Sequence, residues 1–92
     1  MEQDDLTYPV IVTECDDETG HYYGVSSPNI KGMVTDGKTL EEAMVHAQDA
    51  IITMISDTDY PAVQDPTNWQ LGAHDSIMWV TVSIKDLQDE NN

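Results

Sequence analysis

One stretch of this chain, GKTLEEAMVHAQDAIITMIS from Gly37 to Ser56, constrains every fold open to it. Leu40, Ala43, Met44, Ala47, Ala50, Ile51, Met54 and Ile55 recur at spacings of three and four, the apolar stripe of an amphipathic helix. Thr39, followed three residues later by Glu42, predicts a capping box. The Thr39 hydroxyl accepts from the Glu42 N–H, and the Glu42 carboxylate reaches back to the Thr39 N–H. Glu41 and Glu42 also place negative charge in the first turn, where a helix N-terminus favours it. A single helix of this length is marginal in water, so its stripe must lie on another layer.

Strands supply that layer. The first is expected from about Leu6 to Glu14; Val10-Ile11-Val12 is apolar on both faces, as in a central strand, with Pro9 near its start. Cys15-Asp16-Asp17-Glu18-Thr19-Gly20 reads as a turn, and His21 to Ser26 as the second strand. Ser27 to Gly32 reads as a loop, and a short third strand runs from about Met33 to Asp36. An irregular connection with Pro61, Pro66 and Gly72 follows the helix. The last strand, Ile77 to Ile84, alternates Met78, Val80, Val82 and Ile84 against Ile77, Trp79, Thr81 and Ser83. The fold class is therefore α+β, in the order β-β-β-α-β. The first three strands form an antiparallel meander. A right-handed crossover through the helix would place the fourth parallel to the first, giving a mixed sheet of order 3-2-1-4 with one helix on one face.

The 92 residues suffice for a single domain, with a core over about residues 6–86 and mobile tails at 1–5 and 87–92. Three Lys stand against 18 acidic residues, a net charge of −15. Such a chain repels phosphate backbones and suits a basic partner, so direct DNA binding is not expected. One cysteine, Cys15, excludes an internal disulfide framework and fits a reducing compartment. Neither a signal core nor a run of transmembrane length is apparent, so the expected location is cytoplasmic, away from membranes.

The ordered set of segments resembles the N-terminal domain of HicB-type antitoxins. It comprises Tyr8-Pro9-Val10-Ile11-Val12, His21-Tyr22-Tyr23-Gly24-Val25, Ser27-Pro28-Asn29-Ile30-Lys31-Gly32-Met33, Thr35-Asp36-Gly37-Lys38-Thr39-Leu40-Glu41-Glu42-Ala43 and Tyr60-Pro61. The third is like the family's PDLPGC loop, with Met33 in place of its Cys; the fourth is like its T-x-G-x-T-x-E-E-A signature. The resemblance spans roughly residues 6 to 86. It implies a partial ribonuclease H-like β-β-β-α-β unit lacking catalytic carboxylates. It also implies a partner, a small basic HicA-like toxin that cleaves RNA. Family members usually carry a C-terminal DNA-binding module, and the six residues after Asp86 leave no room for one, so operator binding is not expected. The alternative is a stand-alone regulatory or RNA-associated module of the same fold with no toxin.

No catalytic constellation stands out, and no enzyme activity, cofactor or metal is expected. Cys15 has no His or Asn partner in a recognisable pattern, and His21, His46 and His74 are scattered, with His46 on the solvent side of the helix. Asp16, Asp17 and Glu18 lack the full calcium-loop pattern. These acids and the adjoining Tyr22 and Tyr23 are the expected partner-binding residues, because carboxylates can face a basic groove and tyrosines commonly anchor interfaces. Val45 and Ile52 lie seven apart outside the helix stripe, and Ile11 and Trp79 lie on the sheet face away from the helix. These four are the expected oligomer interface, in a homodimer that buries part of the helix-free sheet face or the Val45/Ile52 edge.

Overall fold

The computed structural model describes residues 5–55 and 60–83. The chain forms β1 (Asp5–Asp17), β2 (Gly20–Ser26), β3 (Val34–Gly37), α1 (Leu40–Ile55), a short 3-10 turn (Pro66–Asn68) and β4 (Asp75–Ser83). The strands make one sheet of order β3-β2-β1-β4, and α1 covers one face. Asp5, expected in the frayed tail, pairs with Ser83 and begins β1. Residues 1–4, Ser56, Ile84, Lys85 and the expected C-terminal tail lie outside the described residues.

The sheet is antiparallel throughout, which corrects the expectation of a mixed one: β4 runs antiparallel to β1, from Asp5↔Ser83 to Thr13↔Asp75. The crossover rule applies when the helix is the whole connection, and here it is only half of it. The Tyr8 hydroxyl donates to the Pro61 carbonyl at 2.9 Å, and the Glu14 N–H donates to the His74 carbonyl at 3.0 Å. Residues 61–74 therefore travel from beside Tyr8 to beside Glu14, and β4 enters from the opposite end. At about 3.3 Å per extended residue, this segment has ample reach. Asn29 holds its first residues, donating from Nδ2 to the Ala62 carbonyl at 2.9 Å and accepting from the Gln64 N–H at 2.8 Å.

Tyr8, Val10 and Val12 of β1, Val25 of β2, and Val80 and Val82 of β4 pack against Ala43, Ala47, Ile51 and Ile55 of α1. Each fully buried Ile or Val contributes roughly 1.5–3 kcal/mol of apolar burial. The alanines let the helix approach the sheet closely. Ile52, expected on the outer side of the helix, is half-buried and packs against this core. Leu40 and Met54, expected in the stripe, lie at its margins and are exposed. The Glu42 N–H donates to Thr39 Oγ1 at 3.0 Å, but the Glu42 carboxylate accepts from the Lys38 N–H at 2.6 Å, one residue before the donor expected.

Pro9 sits inside a central strand without breaking its ladders. The Ser27 hydroxyl donates to the Pro9 carbonyl at 2.8 Å, so the backbone of Pro9 faces the β2 side. The β1–β2 ladder begins only at Ile11↔Ser26, and the missing donor therefore deprives no strand of a partner.

Candidate partner-binding surface

The expected turn at Cys15–Gly20 is mostly strand. Cys15, Asp16 and Asp17 pair with Tyr22, His21 and Gly20, leaving Glu18 and Thr19 as the connection. An antiparallel arm that extends past the helix can be polar on both faces, so polarity alone does not mark a turn. Gly20 has φ +124°, a conformation glycine adopts without a Cβ penalty. Asp17 Oδ1 accepts from the Thr19 N–H at 2.8 Å and from the Thr19 hydroxyl at 2.5 Å. These bonds, the hydroxyl's first, hold the Asp17 carboxyl below its ordinary value.

One-to-one pairing fixes which side chain lies on which face. Glu14, Asp16, His21 and Tyr23 share the helix-side face with Val12 and Val25, while Cys15, Asp17 and Tyr22 share the other. The expected partner-binding set is thus divided: Asp16 and Tyr23 on one side of the arm, Asp17 and Tyr22 on the other, and exposed Glu18 at the tip. His21 stands between two acids, with Nδ1 2.7 Å from Asp16 Oδ1 and Nε2 3.1 Å from Glu14 Oε2. Its ring meets Tyr23 edge-on at 5.1 Å. The two acids take opposite ring nitrogens and do not converge on one point. Glu14 and His21 belong to this cluster and were missed from sequence; the register set by a two-residue connection before Gly20 is the signal that could have placed them. On the other face, the hydrogen bond with Cys15 and the nearby Asp17 carboxylate raise the Tyr22 phenol above its ordinary value. Cys15 itself is half-buried, and its thiol donates to the Thr13 carbonyl at 3.6 Å.

Beside the arm, a polar groove of about 620 Å³ runs towards the start of α1, bordered by Asp17, Tyr22, Asp36, Lys38, Glu42 and His46. His46 is exposed, as expected, yet its Nδ1 lies 2.6 Å from the Asp36 carbonyl and ties α1 to β3. Among the described residues the only lysines are Lys31 and Lys38, so carboxylates dominate the arm and groove.

The hydrogen bond to Asp16, followed by the charges of Asp16 and Glu14, raises the His21 pKa above its model-compound value of 6.5. The folded state thus binds this proton more tightly than the unfolded chain. The resulting stabilisation is present in full below about pH 6.5 and is lost as pH rises through the higher folded value. An NMR titration of the His21 ring is expected to show a midpoint above 6.5, and Asp16→Asn to move it down. A midpoint unchanged by the substitution would show that the pair is not formed in solution.

Of the expected dimer residues, Val45 is 55% and Trp79 51% exposed, whereas Ile11 and Ile52 are half-buried. The register puts Ile11 and Trp79 on the sheet face away from α1, and Val45 and Ile52 lie on α1 itself. Val45 and Trp79 also border a separate apolar groove between α1 and β4, with Leu40, Met44 and Met78.

A family profile described as HicB_like antitoxin of bacterial toxin-antitoxin system matches residues 8–90. A chain in a solved structure, "Toxin-Antitoxin complex from Streptococcus pneumoniae", superposes with a TM-score of 0.72 at 17% identity, over 94% of this chain and 76% of that one. At that identity the superposition speaks for the fold alone. No curated protein sequence matches the chain significantly.

Proposed function

The chain belongs to the HicB-like antitoxin family, and on that premise we propose that it binds a small basic RNA-cleaving toxin of the HicA kind and occludes its active site. The observation that carries this reading is the β1–β2 arm. Glu14, Asp16, Asp17 and Glu18 are exposed along four β1 and tip positions, with no lysine among them. A site that cleaves RNA must attract phosphates and so presents positive charge. Carboxylates carried on a paired strand can take the place of those phosphates and steer the encounter electrostatically. Tyr22 or Tyr23, according to which face meets the toxin, supplies a flat amphipathic anchor. The mechanism is occlusion, with no chemistry required of this chain. A chain of net charge −15 meets nucleic-acid phosphates with repulsion, so direct contact with DNA or RNA is no part of this reading.

Growth rescue in cells expressing the toxin from the neighbouring reading frame tests it. Wild type is expected to restore growth, and Asp16/Asp17/Glu18→Ala to lose most of that rescue. Tyr22→Ala and Tyr23→Ala lie on opposite faces, so only one of them should weaken rescue strongly. Failure of wild type to rescue removes the antitoxin reading. Full rescue by the triple variant moves the contact away from the arm.

A further inference from the structure

We infer that a second copy of this chain pairs with β4 along the edge that no described strand occupies, antiparallel across a two-fold axis, and joins two four-stranded sheets into one of eight. This inference does not depend on toxin binding. Strand geometry gives the edge its polarity. Gln48 Nε2, from α1, donates to the Thr81 carbonyl at 2.9 Å, so the Thr81 backbone points away from β1. Thr7 and Thr81 accordingly form a close pair through their hydroxyls, 2.9 Å apart, as residues opposite each other do where the ladder has no hydrogen bonds. By alternation, Ile77 and Trp79 also direct their N–H and C=O groups outward.

The two sheet edges are not equivalent. β3 has four residues, and His46 lies at hydrogen-bonding distance from its Asp36 carbonyl. β4 has nine, and from Ser76 to Ser83 it carries neither charge nor proline nor a break in register, the features that usually protect an edge. Among the described residues Gln48 is the one cap across Ile77–Thr81, and as an exposed side chain it can swing clear. Alongside the edge lies the apolar groove with exposed Val45 and Trp79. An isologous pair would set each groove against its own copy and cover both edge and groove in one contact.

Charge selects the occupant. A basic partner is drawn to carboxylates, and among the described residues Glu41 is the only charged one bordering this groove. Two copies of an acidic chain repel everywhere except across a surface this sparse in charge, which makes the β4 side the place where self-association is least opposed.

Sedimentation equilibrium of the full chain, together with backbone amide exchange, tests the pairing. The expected mass is twice the 10.3 kDa of one chain, with the amides of Ile77, Trp79 and Thr81 protected. Val45→Glu, on an exposed helix position, is expected to give monomers with unchanged circular dichroism. Thr81→Pro, which removes an outward N–H, should do the same. If Thr81→Pro fails to fold, Val45→Glu alone carries the test. A wild type that stays monomeric at several hundred micromolar overturns the proposal, as does a dimer that survives Val45→Glu or leaves the three amides in fast exchange. Protection appearing only when a toxin is added assigns the edge to the toxin and equally overturns it.

Discussion

Gly37→Ala is expected to destabilise the protein by about 3 kcal/mol, a large share of the roughly 5–15 kcal/mol that holds a small domain folded. Gly37 closes β3 just before α1 begins, and the helix backbone passes directly over it. A Cβ at this position would collide with the Ala43 nitrogen and lie 2.7 Å from the Ala43 Cα and 2.8 Å from the Glu42 carbonyl carbon. All three are backbone atoms, so no rotamer change relieves the clash. The first turn of α1 must lift off β3, disturbing the Thr39 cap and the seat of Ala43 in the core. For a domain of this size, the melting temperature should fall on the order of 15 °C. Gly24→Ala is the matched control, because a Cβ there meets nothing within 4 Å. Thermal melts of the two variants that coincide would show that the helix start yields without resistance.

Tyr8→Ala is the second large effect, expected to cost about 4 kcal/mol, because it empties a fully buried site. Burial, with a smaller contribution from Tyr60, raises the Tyr8 phenol above its ordinary value, so the side chain stays a neutral donor to the Pro61 carbonyl. Tyr8→Phe keeps the ring and removes only that bond, at about 1 kcal/mol. Urea denaturation of the pair separates packing from tethering. Equal losses would mean that the hydrogen bond, and not the ring, dominates at this position.

The helix and its layer were legible in the sequence because their signals are periodic. Ala43, Ala47, Ile51 and Ile55 repeat at helical spacing, and all four are buried. Val10-Ile11-Val12 announced a central strand, and β1 has a neighbour on each side. The direction of β4 was not legible. It depends on residues 61–74, which have no period, and on anchors at Tyr8 and Asn29 whose partners are backbone groups of Pro61, Ala62 and Gln64. A backbone carbonyl is the same at every residue and leaves no trace in composition. The partition of the acidic arm was hidden for a related reason. Asp16 and Asp17 look alike in sequence, and only the register across Gly20 sends one to His21 and the other to Thr19. Ile52 was misplaced because helical angle alone does not say how far the core wraps around α1.

β1 draws its two neighbours from distant parts of the chain. Its bonds to β2 close locally, while Thr13 meets Asp75 across 62 residues and Thr7 meets Thr81 across 74. A hairpin such as β1–β2 forms in about 1–10 μs, whereas closing the longer loop carries an entropic cost of roughly 3–4 kcal/mol before any contact repays it. Docking of β4 is therefore the late event in folding. During synthesis, β1 waits with one edge bare until the ribosome has made everything through Ser83. A nascent chain thus exposes unpaired strand edge, the kind of surface on which misassembly begins, until β4 docks.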